Sequence, residues 1–196
     1  MTTLHAADLL IPGGGQPSLP GGAVLVEGRE IAAVAVYEEL AAAHPTARVR
    51  RWPGVLTPGL VNPYGPELLE QAYHPDPRED LGGEPISGEA LASLGMTDAR
   101  WGASARRGVQ RMLAHGCVAV AGALWRPTVI DAVYRSGLTI EQRYTDPAGP
   151  PSLAAPGSFL GALLPRAEAT FAVFETAERT ACVATVIKGR LVHRRK

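Results

Sequence analysis

Val55-Leu56-Thr57-Pro58-Gly59-Leu60-Val61-Asn62-Pro63-Tyr64-Gly65-Pro66 is the stretch whose reading decides the fold. Its apolar run ends at Val61, and Asn-Pro-Tyr-Gly-Pro follows. It therefore reads as a strand that delivers the chain into a polar turn. In α/β units, ligands sit beyond the C-terminal ends of strands. Asn62 to Pro66 is one such end. Gly122 to Arg126, after the apolar run Cys117-Val118-Ala119-Val120-Ala121, is a second.

Upstream of that stretch, Leu4 to Ile11 reads as a first strand, closed by Pro12-Gly13-Gly14-Gly15. The glycine run lacks a Gly-Lys-Ser/Thr ending and a following helix, which excludes a phosphate loop. Two apolar runs, Ala23 to Glu27 and Glu30 to Val36, flank Gly28 as a hairpin. A short helix over Glu38 to Ala43 follows. Then comes a strand from Arg48 to Trp52, with Val49 inward and Arg48 and Arg50 outward. Pro53-Gly54 is expected to turn the chain into the quoted stretch.

Downstream, Pro66 to Gly95 is polar and turn-rich, with short helical patches at Glu67 to Gln71 and Gly88 to Ser93. Asp98 reads as an N-cap. From Ala99 to His115, Trp101, Ala105, Val109 and Met112/Leu113 recur at helical spacing on one face, with Arg106, Arg107, Gln110 and Arg111 on the other. Gly116 ends this helix. Cys117 to Gly122 is apolar throughout, which suits a strand buried on both faces. A second helix from Pro127 to Ser136 has proline at its start and Gly137 past its end. Leu138 to Tyr144 is a further strand.

Composition narrows the function classes. Lys+Arg and Asp+Glu are both 19, a net charge of +0, without the basic excess of a nucleic-acid binder. The one basic cluster, His193-Arg194-Arg195-Lys196, reads as a solvated terminus. The N-terminal residues Met1 to His5 lack the charged and apolar regions of a signal peptide. No apolar run reaches the ~18 residues of a membrane span. Cys117 and Cys182 each lie in apolar sequence and read as buried, reduced thiols. A cytoplasmic protein is the expectation.

Several phrases together resemble the amidohydrolase superfamily, in particular the imidazolonepropionase-like composite domain. They are Val26-Glu27-Gly28-Arg29 with Ile31-Ala32-Ala33-Val34, the lead-in Pro58-Gly59-Leu60-Val61, Ala169-Thr170-Phe171-Ala172-Val173-Phe174, and Cys182 to Val192. The resemblance implies a mixed α/β fold. A small β-sandwich is built from both chain ends (1–60 with 160–196), and an α/β insert (61–159) stands in place of the family's barrel. About 105 residues separate Tyr64 from Ala169, whereas a complete barrel takes roughly 250 and at least about 200. The insert is therefore expected to be a truncated, partial barrel of two or three strands.

The resemblance also locates the metal ligands of the family, an Asp-x-His-x-His run. Here Asn62 stands for the Asp, Tyr64 for the first His and Pro66 for the second. Proline offers no ligand atom, and a tyrosine hydroxyl keeps its proton to about pH 10. No metal and no other cofactor is expected. Two readings of this end stand side by side. Tyr73 to Asp80 is a solvated, proline-stiffened loop, or Asn62, Tyr64, His74, Trp125 and Arg126 line a small metal-free pocket for a small-molecule ligand. Trp101 and Trp125 read first as core residues, and the neighbours His115 and Cys117 as structural.

The expected function is a non-catalytic, amidohydrolase-like protein with a binding or partner role in small-molecule metabolism. The alternative is a metal-independent hydrolase or deaminase, with His74 as acid/base and Tyr64 as hydrogen-bond donor. It requires both groups to reach one pocket. Open sheet edges in a shortened insert also predict a homodimer around Trp101, Trp125 and the second helix. Nucleic acid and membrane are not expected partners.

Overall fold

The computed structural model describes residues 2–154 and 157–195. Met1 and Lys196, which belong to the N-terminal and basic-tail readings, lie outside them. The elements in chain order are β1 (Thr2–Leu10), β2 (Leu19–Pro20), β3 (Gly22–Glu27), β4 (Glu30–Val36), α1 (Tyr37–Ala43), β5 (Arg48–Pro58), β6 (Leu60–Asn62), α2 (Gly65–Leu69), β7 (Ala72–Tyr73), β8 (Ile86–Ser87), α3 (Gly88–Ala92), α4 (Asp98–Leu113), β9 (Cys117–Ala121), α5 (Pro127–Arg135), β10 (Thr139–Glu141), β11 (Ser158–Phe159), β12 (Phe171–Phe174), β13 (Cys182–Ile187) and β14 (Arg190–Arg194).

One eight-stranded sheet runs β14-β13-β12-β5-β1-β3-β4, with β2 on β1. The first and last hairpins of the sequence thus share a sheet, as the phrase order implied. The hydrogen bonding is continuous from end to end, and the sheet bends. Val24, Val26 and Ile31 from one side pack in the same buried cluster as Val173, Ala184 and Val186 from the other. β3 is apolar on both faces, so it needs cover twice. Its second face, with Leu4, Ala6, Ala23 and Leu25, packs under Leu40 of α1.

Three local expectations are corrected here. Val49 points outward and is 42% exposed. β5 runs parallel to β1 and pairs Val49 with Leu4, on the face that α1 covers only as far as Leu40 reaches. Trp52 takes the inward place instead, and its indole donates to His5 Nδ1 at 3.1 Å. Pro53-Gly54 does not turn the chain. It is a bulge within β5, opposite a register shift between Ala7 and Leu9, where the Gly54 N–H donates to Asp8 Oδ2 at 2.7 Å. Nor is the basic tail free: His193 and Arg194 lie in β14, and the Arg194 guanidinium sits 5.9 Å from the Trp52 ring.

The second sheet is β10-β9-β6-β11. β6, β9 and β10 are parallel, and β11 closes the outer side of β6 in antiparallel fashion. α4 and α5 cover one face, and their apolar stripes join Val118, Val120 and Leu138 in one cluster. Thr97, not Asp98, caps α4, accepting from the Arg100 N–H at 3.3 Å. The helix ends at Leu113, and Gly116, with a φ of +78°, then lets the chain reverse against Phe174 and Ala172. The same cluster includes Ala172, Phe174, Cys182 and Ile187 of the large sheet. A buried bond from Thr185 Oγ1 to the Leu113 carbonyl, 2.7 Å, fixes that junction.

Candidate functional site

At the C-terminal end of β6 the polar atoms are already spent. Asn62 is fully buried. Its Oδ1 accepts from the Tyr64 N–H at 2.9 Å. Its Nδ2 donates to the carbonyls of Ser152 at 3.0 Å and Leu153 at 3.3 Å. The Tyr64 hydroxyl donates to the Ala148 carbonyl at 2.6 Å. Pro66 packs on Gly122. Asn62 and Tyr64 therefore hold the segment after β10 across the sheet end. Arg143 adds a bond to Glu67, 2.8 Å, and one to the Pro63 carbonyl, 3.2 Å. Tyr64 lines a cavity of about 330 Å³ with Pro63, Ala121 and Ala148.

A metal does not fit this donor set. Pro66 has no ligand atom. The Asn62 amide oxygen and the Tyr64 hydroxyl each serve a backbone group. Among the described residues no group of three or more His, Cys, Asp or Glu side chains converges as a metal site would require. The nearby thiol is no nucleophile either. Burial pushes Cys117 up to about 12, far from the depressed values of reactive thiolates.

The second strand end, Gly122 to Arg126, is organised by a residue that sequence reasoning missed. Glu70 is 3% exposed. Its carboxylate accepts from the N–H of Trp125 at 3.0 Å and of Arg126 at 2.6 Å, where α5 begins. A carboxylate suits the positive end of a helix. The Arg126 guanidinium then lies 4.5 Å from the Trp101 ring. Trp101 is core, as expected. Trp125 is not, at 55% exposed, because Glu70 holds its backbone while the side chain points outward. Nothing in the sequence around Glu70 marks it: a glutamate after Leu68-Leu69 reads as the solvated end of a short helix.

His74 lies elsewhere. It is 1% exposed and packed on Gly108 of α4. Its Nε2 faces the Leu68 carbonyl at 2.8 Å, and its N–H donates to Ser104 Oγ at 2.8 Å. Burial, with Arg111 and Arg107 nearby, holds its pKa below the usual histidine value. The ring is thus neutral at pH 7, and Nδ1 is buried without a partner. His74 lines a cavity of about 660 Å³ between α4 and the loop after β7. Tyr64, Trp125 and Arg126 are not part of that wall. The expected single pocket of Tyr64, His74, Trp125 and Arg126 is therefore three separate places.

The loop from Tyr73 to Asp80 is buried at its start and solvated at its end. Tyr73, His74 and Pro75 are buried, and Pro77 to Asp80 are exposed. Asp76 and Glu79 form a capping box around a 3₁₀ turn. Tyr73 OH bonds to Glu79, Glu79 pairs with Arg100 at 3.0 Å, and Arg107 Nε donates to the His74 carbonyl at 2.8 Å. Arg107 and Arg111, on the helix face opposite the apolar stripe, lie under this loop.

Comparisons with known proteins agree with this architecture. Residues 22–47 match a family model described as the imidazolonepropionase-like composite domain of bacteria. No curated protein matches the chain. Among solved structures, an adenosine deaminase from Xanthomonas campestris with bound zinc is similar over 70% of this chain and 32% of its own, at 17% identity and a TM-score of 0.53. An A. niger ochratoxinase is similar over 72% of this chain and 31% of its own, at 20% identity and a TM-score of 0.51. The composite-domain match over residues 22–47 agrees with the resemblance read from the sequence. At these identities the likeness shows the fold. The chain spans about a third of the length of these structures.

Proposed function

We propose that this chain is a non-catalytic, amidohydrolase-like protein that binds a small molecule or a partner in small-molecule metabolism. The observation that carries this reading is the use made of Asn62, Tyr64 and Pro66. At the positions where the family would hold its metal, two side chains bond to the backbone of 148–153 and the third fills a gap against Gly122. The bent sheet then serves as the small β-sandwich of the composite domain, and the three parallel strands as a partial barrel. The test is ammonia release from adenosine by the protein supplemented with zinc. The expected result is no turnover above buffer, and zinc-dependent turnover that is lost in Tyr64→Phe would overturn the proposal.

The metal-independent hydrolase or deaminase reading has less support, because His74 and Tyr64 line different cavities. The homodimer remains part of the proposal, with a smaller surface. Trp101 is buried in the chain's own core, which leaves exposed Trp125 and Tyr134 beside the open side of β10. Light scattering at micromolar concentration is expected to give twice the 20.6 kDa chain mass. The chain mass itself would refute it. No helix among the described residues is long and apolar enough to cross a membrane.

A further inference from the structure

The 660 Å³ cavity falls within the size range of small-molecule sites, roughly 300–1,000 Å³. It lies away from both strand ends. One wall is the stripe Arg107, Gln110, Arg111 and Ala114 of α4 and its C-cap, spaced i, i+3, i+4, i+7. That part of α4 leads into the N-terminal end of β9, opposite the end where Asn62 and Tyr64 sit. The other wall is the loop from His74 to Gly83, with Pro75 and Pro77 presenting rigid apolar rings.

The polar groups of the lining differ in what they have left to give. Arg107 is committed: Nε to the His74 carbonyl, Nη2 to Tyr73 OH at 3.3 Å, Nη1 to Asp76 at 3.6 Å. Arg111 is not. Its Nη1 donates to the Gly83 carbonyl at 2.8 Å, and its one acidic neighbour, Glu84 at 3.9 Å, has a 92% exposed side chain, so solvent screens that pair. The remaining N–H donors of Arg111 have no protein acceptor within the described residues. Asp80 is the one carboxylate of the lining and is exposed. The His74 ring stands in the wall as a packing surface: its Nε2–H is spent on the Leu68 carbonyl, and its Nδ1 is a buried acceptor that offers a carboxylate nothing.

We propose that this cavity binds a small organic acid, with its carboxylate on the Arg111 guanidinium and its apolar body between Pro75, Pro77 and Ala114. A guanidinium matches a carboxylate with two parallel N–H bonds, and proline rings cost no ordering entropy on binding. The site rests on the binding-protein reading above and gives it a ligand class.

The test uses the whole chain and two probes of equal shape, benzoate and benzamide, followed by backbone amide NMR titration. Benzoate is expected to give saturable shifts confined to residues 74–83 and 107–114, and benzamide to bind at least about tenfold more weakly. Arg111→Gln is expected to weaken benzoate about tenfold. Asp80→Asn removes the like charge and suits the left-handed φ of 58° at that position. It is expected to strengthen benzoate about twofold. Ala114→Leu, filling the apolar wall, abolishes binding while the spectrum stays folded. Equal binding of benzamide, shifts centred on Tyr64 and 147–154, no saturation by benzoate, or weaker binding in Asp80→Asn would each overturn the proposal. None of these outcomes bears on zinc-dependent turnover, so the site and the non-catalytic reading fail separately.

Discussion

The bent sheet and the smaller sheet β10-β9-β6-β11 are built to the same rules and hold together differently. In the sheet, strand ladders and close backbone approach do the work. Gly54, with φ +85°, lies where a Cβ would meet the carbonyl oxygens of Phe174 and Glu175. In the insert the strands are short, and single side chains replace ladder length: Glu70 anchors the start of α5, Asn62 and Tyr64 anchor the segment across the sheet end, and Thr185 ties α4 to the sheet. The difference teaches where polar residues become structural. A parallel sheet with few strands leaves its C-terminal end open, and polar residues at that end can close it.

That contrast can be broken at the sheet first. Gly54→Ala forces a β-carbon into an unfavourable φ and into backbone atoms. We expect about 4 kcal/mol of lost stability by denaturant unfolding, with the whole chain unfolding together. Unchanged stability would mean that the bulge at Asp8 and Gly54 relaxes freely.

Acid tests the same sheet through His5. Burial, helped by Arg50, lowers its pKa to about 4 from 6.5, and its Nδ1 is the acceptor for Trp52, so only the neutral ring fits. The folded pKa lies below the unfolded one, so the unfolded chain takes up the proton first. Stability is therefore full above about pH 6.5 and falls as pH drops toward 4, by about 3 kcal/mol in all. His5→Gln, which keeps a neutral acceptor, is expected to flatten that part of the profile. An equally steep profile in the variant would assign the loss to other groups, His74 in the insert among them.

The insert offers the next two tests. Glu70→Ala leaves two part-buried N–H groups without their acceptor and should cost about 1 kcal/mol or more. Its effect should concentrate in faster hydrogen exchange over α5 and β10, with the large sheet unchanged. Tyr64→Phe removes one partly buried bond and should cost about 1 kcal/mol. Exchange should rise at residues 148–153. No change there would mean that Asn62 alone holds the segment.

Much of the fold could be read from periodicity and punctuation. The hairpin around Gly28, the helix before Gly116, the helix between Pro127 and Gly137, and the apolar strand at Cys117 all stand where their patterns put them, because each burden falls on local sequence. What could not be read depends on distant partners. Val49 and Trp52 exchange roles because β5 lies parallel to β1, which alternation alone does not reveal. Pro53-Gly54 is a bulge rather than a turn because Asp8, far away in sequence, accepts its N–H. At the site, Asn62 ends β6 where the apolar run stops, with Tyr64 and Pro66 just beyond it. Their grouping with His74 failed because α2 and β7 carry His74 round to α4. Glu70 carried no sequence signal, since only its burial makes it different from a solvated glutamate. The polar face of α4 with Arg107 and Arg111 is legible from spacing, but the loop from Tyr73 to Gly83 that covers it is not.

The proposal turns on Asn62 and Tyr64 holding backbone rather than metal. Calorimetric titration of EDTA-treated, dialysed protein with Zn²⁺ tests it most directly. The account predicts no saturable one-to-one binding tighter than about 10 µM, the weak regime of incidental surface ligands. A one-to-one site tighter than about 1 µM that disappears in Asn62→Ala and Tyr64→Phe would contradict it.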